Sequence, residues 1–515
     1  MSSLFSLLLF SLLFSLSFSL PPYSFHINCG GSSEITSEGQ QWLPDTDFVS
    51  SGTKKPVNMS WVIPVLSTVR SFPKNGNLNK KFCYEIGPVI RSAKYMVRTT
   101  YFYGGVNGAS YKNPPVFDQI VDGALWGMVN TTDDYGRNMS SYYEGVFQPL
   151  GKSMSVCVAI NEFTDSDPFI SAIELEVLGD SVYNSTDFGK FALSLVARNN
   201  FGYQGPMIRS PDDQFDRFWQ PFGLSGPITG VSNVSVSGIW NLPPAKIFET
   251  RLTVDKGPME LQWPEGSLPR SEYYIALYFA DDRASSHREF SISINDVPFI
   301  SNLNVTSSGV AVFSTKWPLD GVTNLKFTPA AGSDSGPLVN GGEIFDILSV
   351  GKKTLVRDAI ALESIKKSLH NPPEDWNGDP CFPAKYTWTG IKCSNGTRIR
   401  IISINLDSMG VAGTLSPDIA KLTALNTIVL RRNNFYGKIP SSLGKLKHLE
   451  ILDLGNNHFD GTIPSSLGEI QSLRELHLEN NNLRGTIPKS LIQKPGLNST
   501  FSPGNRLSLL SGRKL

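Results

Sequence analysis

The sequence predicts a mainly β protein in which two tandem β-sandwiches precede a short solenoid of repeated units. Residues 24–350 contain short alternating or apolar runs divided by Gly, Pro, Asn and Asp clusters, a pattern typical of antiparallel sandwiches. Residues 401–491 repeat with a fixed period of 24, and a period of this length is typical of solenoids. Between these regions, residues 354–369 carry apolar side chains at helical spacing, which predicts an amphipathic helix.

The composition narrows the classes of protein that fit this chain. With 515 residues, the chain is long enough for at least two domains with cores of their own. Its 46 basic and 46 acidic residues cancel, so no electrostatic attraction to nucleic acid is evident and no nucleic-acid partner is expected. Charged residues make up only 18% of the chain, and Gly and Pro are frequent, which favours a secreted, strand-rich protein.

The N-terminus and the glycosylation sequons indicate passage through the secretory pathway. Residues 1–19 lie in a run of Leu, Phe and Ser without charged side chains; we interpret them as a signal peptide, with a signal anchor as the alternative. N-x-S/T sequons occur at Asn58, Asn130, Asn138, Asn184, Asn233, Asn304, Asn395 and Asn498. We therefore expect an extracellular or cell-surface location, and we expect a longer form of the protein to carry a transmembrane helix.

Four leucine-rich units predict the solenoid of residues 398–491. They begin at Ile401, Leu425, Leu449 and Leu473. The pattern LxxLxL, followed three residues later by Asn in three of the four units, is the leucine-rich-repeat signature. Each unit of this α/β repeat cannot bury its apolar edge alone, so stacking creates one continuous core. The tail, residues 492–515, is predicted to be irregular.

The segment 352–397 is predicted to be the N-terminal cap of this solenoid. The apolar face of its helix is expected to cover the first repeat. Cys381 and Cys393 follow the helix, and in an oxidising compartment we expect them to form a disulfide. A zinc site is the alternative, but no CxxC pair or paired histidine accompanies them. The pairing of Cys29, Cys83 and Cys157 stays open, and at least one of the three is left unpaired or linked to another chain.

The repeat has the form GxIPxxLGxL, as in GKIPSSLGKL at residues 437–446. This form resembles the plant-specific leucine-rich repeats of receptor kinases and receptor-like proteins, and the resemblance implies extracellular recognition without catalysis.

A second resemblance covers the N-terminal region. Its motifs are FHINCGG at 25–31, PFISAIELEVL at 168–178, RSPDDQFDRFW at 209–219, REFSISIND at 288–296 and NGGEIFDILSV at 340–350. In this order they resemble the plant malectin-like domain, which implies two malectin-like sandwiches, here placed at 24–185 and 186–351.

The run GDPC at 378–381 is similar to the junction of malectin-like leucine-rich-repeat receptors, including the symbiosis receptor kinase, where it influences release of the malectin-like part. A proline turn that sets up the Cys381 bridge is the alternative explanation.

The resemblance also suggests a carbohydrate site. Animal malectin binds glucose oligomers through aromatic rings, because sugar faces stack on aromatics and carboxylates accept bonds from hydroxyl groups. Tyr101, Tyr103 and Tyr111 flank a glycine pair where a strand is expected to end, and they are the candidates for such a platform. The alternative is that these rings fill the core. The corresponding strand end of the second sandwich offers Asp281 and Asp282 but no aromatic residue.

The solenoid suggests a protein-binding face. Its outward strand positions include Arg431, Asp453, Glu475, His477 and Glu479, a polar mixture that suits a modest specific interface. The sequence thus predicts a non-catalytic recognition module that binds a receptor kinase, a co-receptor or a peptide ligand. The alternative is a carbohydrate-binding sensor that takes a cell-wall oligosaccharide.

No catalytic residue, cofactor or metal site is predicted. Asp212, Asp213 and Asp216 could be the carboxylates of a glycosidase, but sequence neighbours do not show a pair separated across a cleft. We interpret these carboxylates, with Arg217, as a local charge network at the crossing between the sandwiches.

Overall fold

The computed structural model describes residues 23–74, 78–108, 113–223, 234, 236–282 and 287–509. The signal peptide predicted for residues 1–19 lies outside these residues, as do Tyr111 and Asn233. Within the described ranges the protein has two sandwiches followed by a solenoid, so the predicted fold class is confirmed.

The first sandwich is built from thirteen described strands. They are β1 Phe25–Asn28, β2 Ile35–Ser37, β3 Gln40–Pro44, β4 Thr53–Pro56, β5 Thr68–Ser71, β6 Lys81–Ile86, β7 Lys94–Tyr101, β8 Phe117–Val121, β9 Ala124–Val129, β10 Ser141–Phe147, β11 Met154–Ala159, β12 Phe169–Ile170 and β13 Ala172–Leu178. The sheets β6-β11-β8-β9 and β12-β5-β4 cover one side of its core. A short helix, Thr132–Gly136, lies between β9 and β10.

The second sandwich contains two long strands that pair along most of their length. Its strands are β14 Phe191–Phe201, β15 Gln220–Phe222, β16 Leu252–Thr253, β17 Met259–Phe279, β18 Glu289–Ile294, β19 Val297–Asn304, β20 Val310–Pro329, β21 Leu338–Val339 and β22 Gly341–Ser349. β17 and β20 are antiparallel partners, and their apolar side chains form most of the second core.

One sheet runs through both sandwiches. Its strand order is β19-β18-β20-β17-β22-β14-β10-β7-β13-β1-β3-β2, with β15 beside β14. β14 links the two halves because it pairs with β10 of the first sandwich and with β22 of the second. The register between β10 and β14 contains two residue pairs, whereas β14 and β22 share nine. The sandwiches therefore have separate cores and a common sheet. A further buried apolar cluster contains residues of both halves, among them Val146 and Tyr274.

A row of alternating charges crosses this common sheet. The charge row consists of His26, Glu174, Arg98, Glu144, Arg198 and Glu343, which lie on six neighbouring strands. Glu144 joins the halves, since its carboxylate accepts from Arg98 at 2.9 Å and from Arg198 at 2.5 Å. Both arginine side chains and Glu144 are fully buried. Buried charges of this kind are tolerated only when they are paired and hydrogen-bonded.

The loop at 209–219 covers the charge row. Asp216 accepts from Arg209 at 2.8 Å, and its backbone carbonyl accepts from Arg98 at 2.5 Å. Asp213 accepts from Arg217 at 3.0 Å and from the Trp219 indole at 2.8 Å. These carboxylates therefore form the charge network that the sequence analysis favoured over a catalytic pair.

The solenoid consists of two parallel stacks of short strands. One stack contains β24 Ile401–Asn405, β26 Thr427–Val429, β28 Ile451–Asp453, β30 Glu475–His477 and β32 Asn498–Thr500, with β23 Ile391–Cys393 antiparallel at its start. The other contains β25 Ala412–Thr414, β27 Asn434–Lys438, β29 His458–Gly461, β31 Asn482–Thr486 and β33 Arg506–Ser508. The return segments include 3-10 turns at Pro417–Lys421, Ser441–Lys445 and Ser465–Glu469 and a short helix at Lys489–Ile492.

The side chain of each interior asparagine forms hydrogen bonds to two neighbouring repeats. Asn457 donates to the carbonyls of Leu430 and Leu454 at 2.9 and 3.2 Å, and its side-chain oxygen accepts from the Phe435 amide at 3.0 Å. The buried polar group is thus fully satisfied, which removes the free-energy cost of an unpaired amide.

The tail, predicted to be irregular, instead continues the solenoid. β32 pairs with β30 and β33 pairs with β31. Asn505 takes the interior position, since it donates to the Leu478 carbonyl at 2.7 Å and accepts from the Leu483 amide at 3.0 Å. The repeat was hidden because Ser499 stands where the preceding unit has Leu476.

The cap helix, Val356–Lys367, covers the first repeat as predicted. Ala361, Leu362 and Ile365 are buried in the same core as the repeat leucines, and burial of a leucine side chain stabilises by about 1.5–3 kcal/mol. The helix begins after the predicted Thr354, because the amide and hydroxyl of Thr354 donate to Asp379.

One disulfide was predicted from the sequence, and a second one answers the pairing question that the sequence left open. Cys381 pairs with Cys393 in the cap. Cys83 pairs with Cys157 between the neighbouring strands β6 and β11, and the third cysteine, Cys29, is a buried free thiol.

Candidate functional site

The tyrosines predicted as a sugar platform lie in the core of the first sandwich. Tyr101 is 1% and Tyr103 is 2% exposed, and the Tyr101 hydroxyl donates to Gln119 at 3.2 Å. Residues two apart in a strand share a face, and here that face is the inner one. Neither ring has a face that is free to bind a sugar in this arrangement. Both rings instead fill the core, which was the alternative explanation. Tyr111, the third candidate, lies outside the described residues.

An exposed tryptophan lies near the same strand end. Trp61 is 58% exposed and packs edge-on against Phe102, with ring centroids 5.7 Å apart. On the neighbouring β4, Lys55 donates to Asn107 at 3.2 Å and lies 3.4 Å from Asp167. Sequence reasoning missed Trp61 because the residue lies in a loop, where neither strand alternation nor a motif draws attention to it.

The predicted protein-binding residues meet on one face of the solenoid, which we call the strand face. Arg431 pairs with Asp407 at 3.1 Å and lies 3.8 Å from Asp453. Asp453 is only 7% exposed, and burial raises the pKa of its carboxyl. The guanidinium of Arg432 holds the pKa of Asp407 well below its usual range. Most charge at this end of the face is therefore paired within the protein.

The other end of the strand face is also internally bonded. His477 hydrogen-bonds Thr500 at 2.8 Å, and Thr500 donates to Glu479 at 2.5 Å. Glu475 lies opposite Asn498 in the parallel register, so the two side chains share a side of the sheet. A glycan on Asn498 would lie beside Glu475 and crowd this end of the face.

All sequon asparagines that the structure describes are exposed. They are Asn58, Asn130, Asn138, Asn184, Asn304, Asn395 and Asn498. Their exposure is what glycan attachment requires, while their modification stays a prediction.

The first sandwich docks on the solenoid cap through a lysine. Lys81 is 1% exposed, and its ammonium donates to the carbonyls of Asp379 and Phe382 at 2.5 and 2.6 Å. Burial lowers the pKa of Lys81 to about 8, because two neutral carbonyls compensate a buried charge less well than water does. Tyr386 adds a second contact, since its hydroxyl donates to Asp118 at 2.5 Å.

The GDPC run is shaped by this docking. Gly378 has a φ of 63°, and a Cβ there would lie 2.9 Å from the Cys83 sulfur, so only glycine fits without movement. The Asp379 carboxylate accepts from Thr354 and from the amides of Cys381 and Phe382. Packing and turn geometry thus account for three of the four residues, and cleavage at this junction stays a prediction.

An open cleft of about 1050 Å³ separates the first sandwich from the cap helix. We call it the cap cleft. Its lining includes Arg91, Asp122, Leu150, Lys353, Val356 and Ile360. Sequence reasoning missed the cap cleft because its two walls are distant in the chain and come together only when the first sandwich docks on the solenoid cap.

The comparisons with known proteins agree with this architecture. The family model described as the malectin-like domain matches residues 27–347. The chain belongs to the malectin-like domain family. Models of the leucine-rich-repeat N-terminal domain and the leucine-rich repeat match residues 356–394 and 423–483. None of these three models is that of a catalytic domain.

Relatives of this malectin-like protein include receptor kinases of Arabidopsis thaliana. The probable LRR receptor-like serine/threonine-protein kinase At1g67720 is 30% identical over 447 residues, which cover 80% of this chain and 46% of the relative. The probable LRR receptor-like protein kinase At1g51890 is 28% identical over 429 residues, covering 78% of this chain and 47% of the relative. The chain therefore spans less than half the length of these two relatives.

Solved malectin-like structures share the fold. The ANX2 ectodomain from Arabidopsis thaliana superposes with a TM-score of 0.52 at 16% identity, covering 63% of this chain and 96% of that one. FER, in a complex with the plant peptide RALF23 and LLG2, gives a TM-score of 0.51 at 16% identity, covering 64% and 96%. Together these matches identify the chain as malectin-like and leucine-rich-repeat modules of the extracellular kind found in plant receptor-like proteins.

Two features are absent from the residues that the structure describes. Among them, no helix has the length and apolar character that crossing a bilayer would need. The same residues contain no group of three or more His, Cys, Asp or Glu side chains arranged to hold a metal ion.

Proposed function

We propose that the protein is a non-catalytic recognition module of a plant receptor-like protein that binds a receptor kinase, a co-receptor or a peptide at the cell surface or wall. The observation that carries this proposal is the docking of the malectin-like pair on the solenoid cap. Through Lys81 and Tyr386 this docking places a broad sandwich surface and the strand face side by side in one molecule. FER, a protein of similar malectin-like fold, was solved with a peptide and LLG2, which supports this kind of partner.

Binding to other receptors tests the proposal. The glycosylated chain, residues 20–515, is presented to a panel of plant receptor-kinase and co-receptor ectodomains in biolayer interferometry. We expect saturable binding to at least one ectodomain and weaker binding by the strand-face variant Arg431→Glu. The matched control is Arg484→Glu, an exposed cation on β31 in the other strand stack. Absence of binding to every ectodomain would contradict the proposal, and equal binding by both variants would exclude the strand face as its site.

A carbohydrate-binding function is the second candidate, and exposed Trp61 is the observation that favours it. An accessible indole face stacks on sugar rings, and Trp61 is 58% exposed while its edge is held against Phe102. A glycan array read with wild type and with Trp61→Ala tests this function. Phe163→Ala is the matched control, since Phe163 is 63% exposed. Glycan binding that survives loss of Trp61 would rule out this site.

A further inference from the structure

We propose that the cap cleft binds a linear peptide that carries a carboxylate beside aliphatic side chains. This inference rests on the proposed function and gives it a site between the first sandwich and the cap helix.

The apolar part of the cleft is a stripe on the cap helix. Val356 and Ile360 are 66% and 56% exposed, and residues four apart lie on the same side of a helix. The opposite side of this helix is buried against the repeats through Leu362 and Ile365. The helix thus presents apolar side chains in two directions, and only the direction toward the repeats is covered.

The cap cleft is lined by four carboxylates and three cations, which belong to Glu85, Asp122, Glu363, Asp379, Arg91, Lys353 and Lys366. Glu85 accepts from the Gly378 amide at 3.1 Å, and Glu363 lies 4.0 Å from the Lys366 ammonium. Asp122 already accepts from the amides of Ser155 and Leu150 at 2.7 and 3.2 Å. The Asp379 carboxylate is engaged by three amides and a hydroxyl.

Arg91 and Lys353, in contrast, have no hydrogen bond or ion pair of contact distance with any described residue. Lys353 is close enough to Asp122 and Asp379 to be influenced by their charges, but its donors remain free. A ligand carboxylate would satisfy donors that the protein leaves open, and charge-assisted bonds of this kind are the strong ones.

The lining also favours a peptide over a sugar. Among the described residues that line the cap cleft, none is aromatic, so the stacking surface that sugar recognition uses is missing there. Aliphatic side chains, by comparison, gain from contact with Val356, Ile360 and Leu150 through burial of apolar area. The volume of about 1050 Å³ has room for several residues of an extended chain.

The experiment selects a phage-displayed library of random linear peptides on the immobilised, glycosylated chain. Selected peptides are synthesised, and their affinity is measured by fluorescence polarisation against wild type and three double variants. Arg91→Glu/Lys353→Glu reverses the free cations, and Val356→Ser/Ile360→Ser removes the apolar stripe. Arg484→Glu/Arg506→Glu is the matched control, because these exposed cations are register partners on β31 and β33, in the strand stack that does not form the strand face. All six positions are solvent-accessible, and thermal unfolding verifies that each variant folds.

We expect the selected peptides to be rich in Asp or Glu next to aliphatic residues. Affinity is expected to fall about ten-fold in each cleft variant and to stay unchanged in the control. Selection of no peptide, or affinity that the cleft variants do not alter, overturns the inference. If no peptide is selected but an acidic oligosaccharide of galacturonate binds and the cleft variants abolish that binding, the cleft has another occupant and the inference is overturned. Self-association of wild type that the cleft variants lose would overturn it in the same way. Binding of a receptor ectodomain in the absence of any cleft-dependent peptide would leave the proposed function standing without this site.

Discussion

The two junctions of this molecule are built from different chemistry. Between the sandwiches, charges of both signs alternate along the charge row, and each buried arginine has carboxylate partners. Between the first sandwich and the solenoid, the buried ammonium of Lys81 faces neutral carbonyls. Tyr386 donates to Asp118 at the same junction, and Lys385 forms an exposed ion pair with Glu162. Removal of any member of the charge row leaves a buried charge without its partner, which is costly. Burial already disfavours the charged form of Lys81, because its partners are neutral carbonyls. The first junction therefore acts as part of a core, and the second as a contact that smaller changes can loosen.

The largest effect is expected from Glu144→Ala, which breaks the first junction. The substitution leaves Arg98 and Arg198 buried without their shared partner, so we expect a loss of about 3–5 kcal/mol in the free energy of unfolding. Denaturant unfolding followed by tryptophan fluorescence measures this change. Asp187→Ala, which removes an exposed pair with Lys190, is the control and is expected to leave the midpoint in place. A small change in Glu144→Ala would mean that the row is solvated rather than buried.

Lys81→Met tests the second junction. Methionine keeps much of the side-chain stem but frees two carbonyls, and we expect the contact to weaken by about 1–3 kcal/mol. Hydrogen exchange measured by mass spectrometry should quicken at 378–386 while the repeats stay protected. Unchanged exchange there would contradict the role given to Lys81.

The difference in stability between wild type and Lys81→Met should depend on pH. The pKa of Lys81 is about 8 in the folded protein, below its ordinary value of 10.5. Between these values the unfolded chain holds the proton that the folded chain has lost, so stability rises with pH. The stability advantage of wild type over Lys81→Met should therefore grow from pH 8 toward 10.5. A stability advantage of wild type that shrinks between pH 8 and 10.5 would contradict a lowered pKa of Lys81.

His26, at the end of the charge row, should respond in the opposite direction. Burial lowers its pKa, but the bond to Glu176 and the charges of Glu174 and Asp216 outweigh burial and raise the pKa above 6.5. A raised pKa contributes stability that is present below pH 6.5 and lost as pH rises through the folded value. The melting temperature of wild type should therefore fall as pH rises through this window, and it should fall less in His26→Gln. Parallel profiles for the two proteins would contradict a protonated His26.

The smallest effect is expected at the strand face. Arg431→Ala removes a half-exposed ion pair with Asp407, and such pairs contribute at most about 1 kcal/mol. The midpoint of denaturant unfolding is therefore expected to stay almost unchanged, even if partner binding is lost. A large destabilisation would mean that the paired charges of this face serve stability rather than recognition.

The elements that could be predicted from the sequence are those set by local spacing. The repeats, the cap helix and the Cys381–Cys393 disulfide all depend on residues close together in the chain. The charge row could not be found in this way, because its six residues lie on six strands that become neighbours only in the folded sheet.

The candidate sites were harder to predict for a related reason. Strand alternation placed Tyr101 and Tyr103 on one face but did not say which face is inside. Trp61 and the cap cleft are loop and inter-domain features without a periodic signal. The fifth repeat could have been found from Asn505 and Leu507, which lie 24 residues after Asn481 and Leu483, had the missing leucine at Ser499 been tolerated.

The common sheet has a mechanical consequence. A protein tethered at one end and loaded at the other by the cell wall would carry tension through β14, the only described strand that belongs to both halves of the sheet. Its seam with β10 has two residue pairs, against nine with β22, so shear would concentrate there. In a single-molecule pulling experiment we expect this seam to rupture before either sandwich unravels, at a force to which the Glu144 ion pairs with Arg98 and Arg198 and the buried apolar cluster across the junction both contribute.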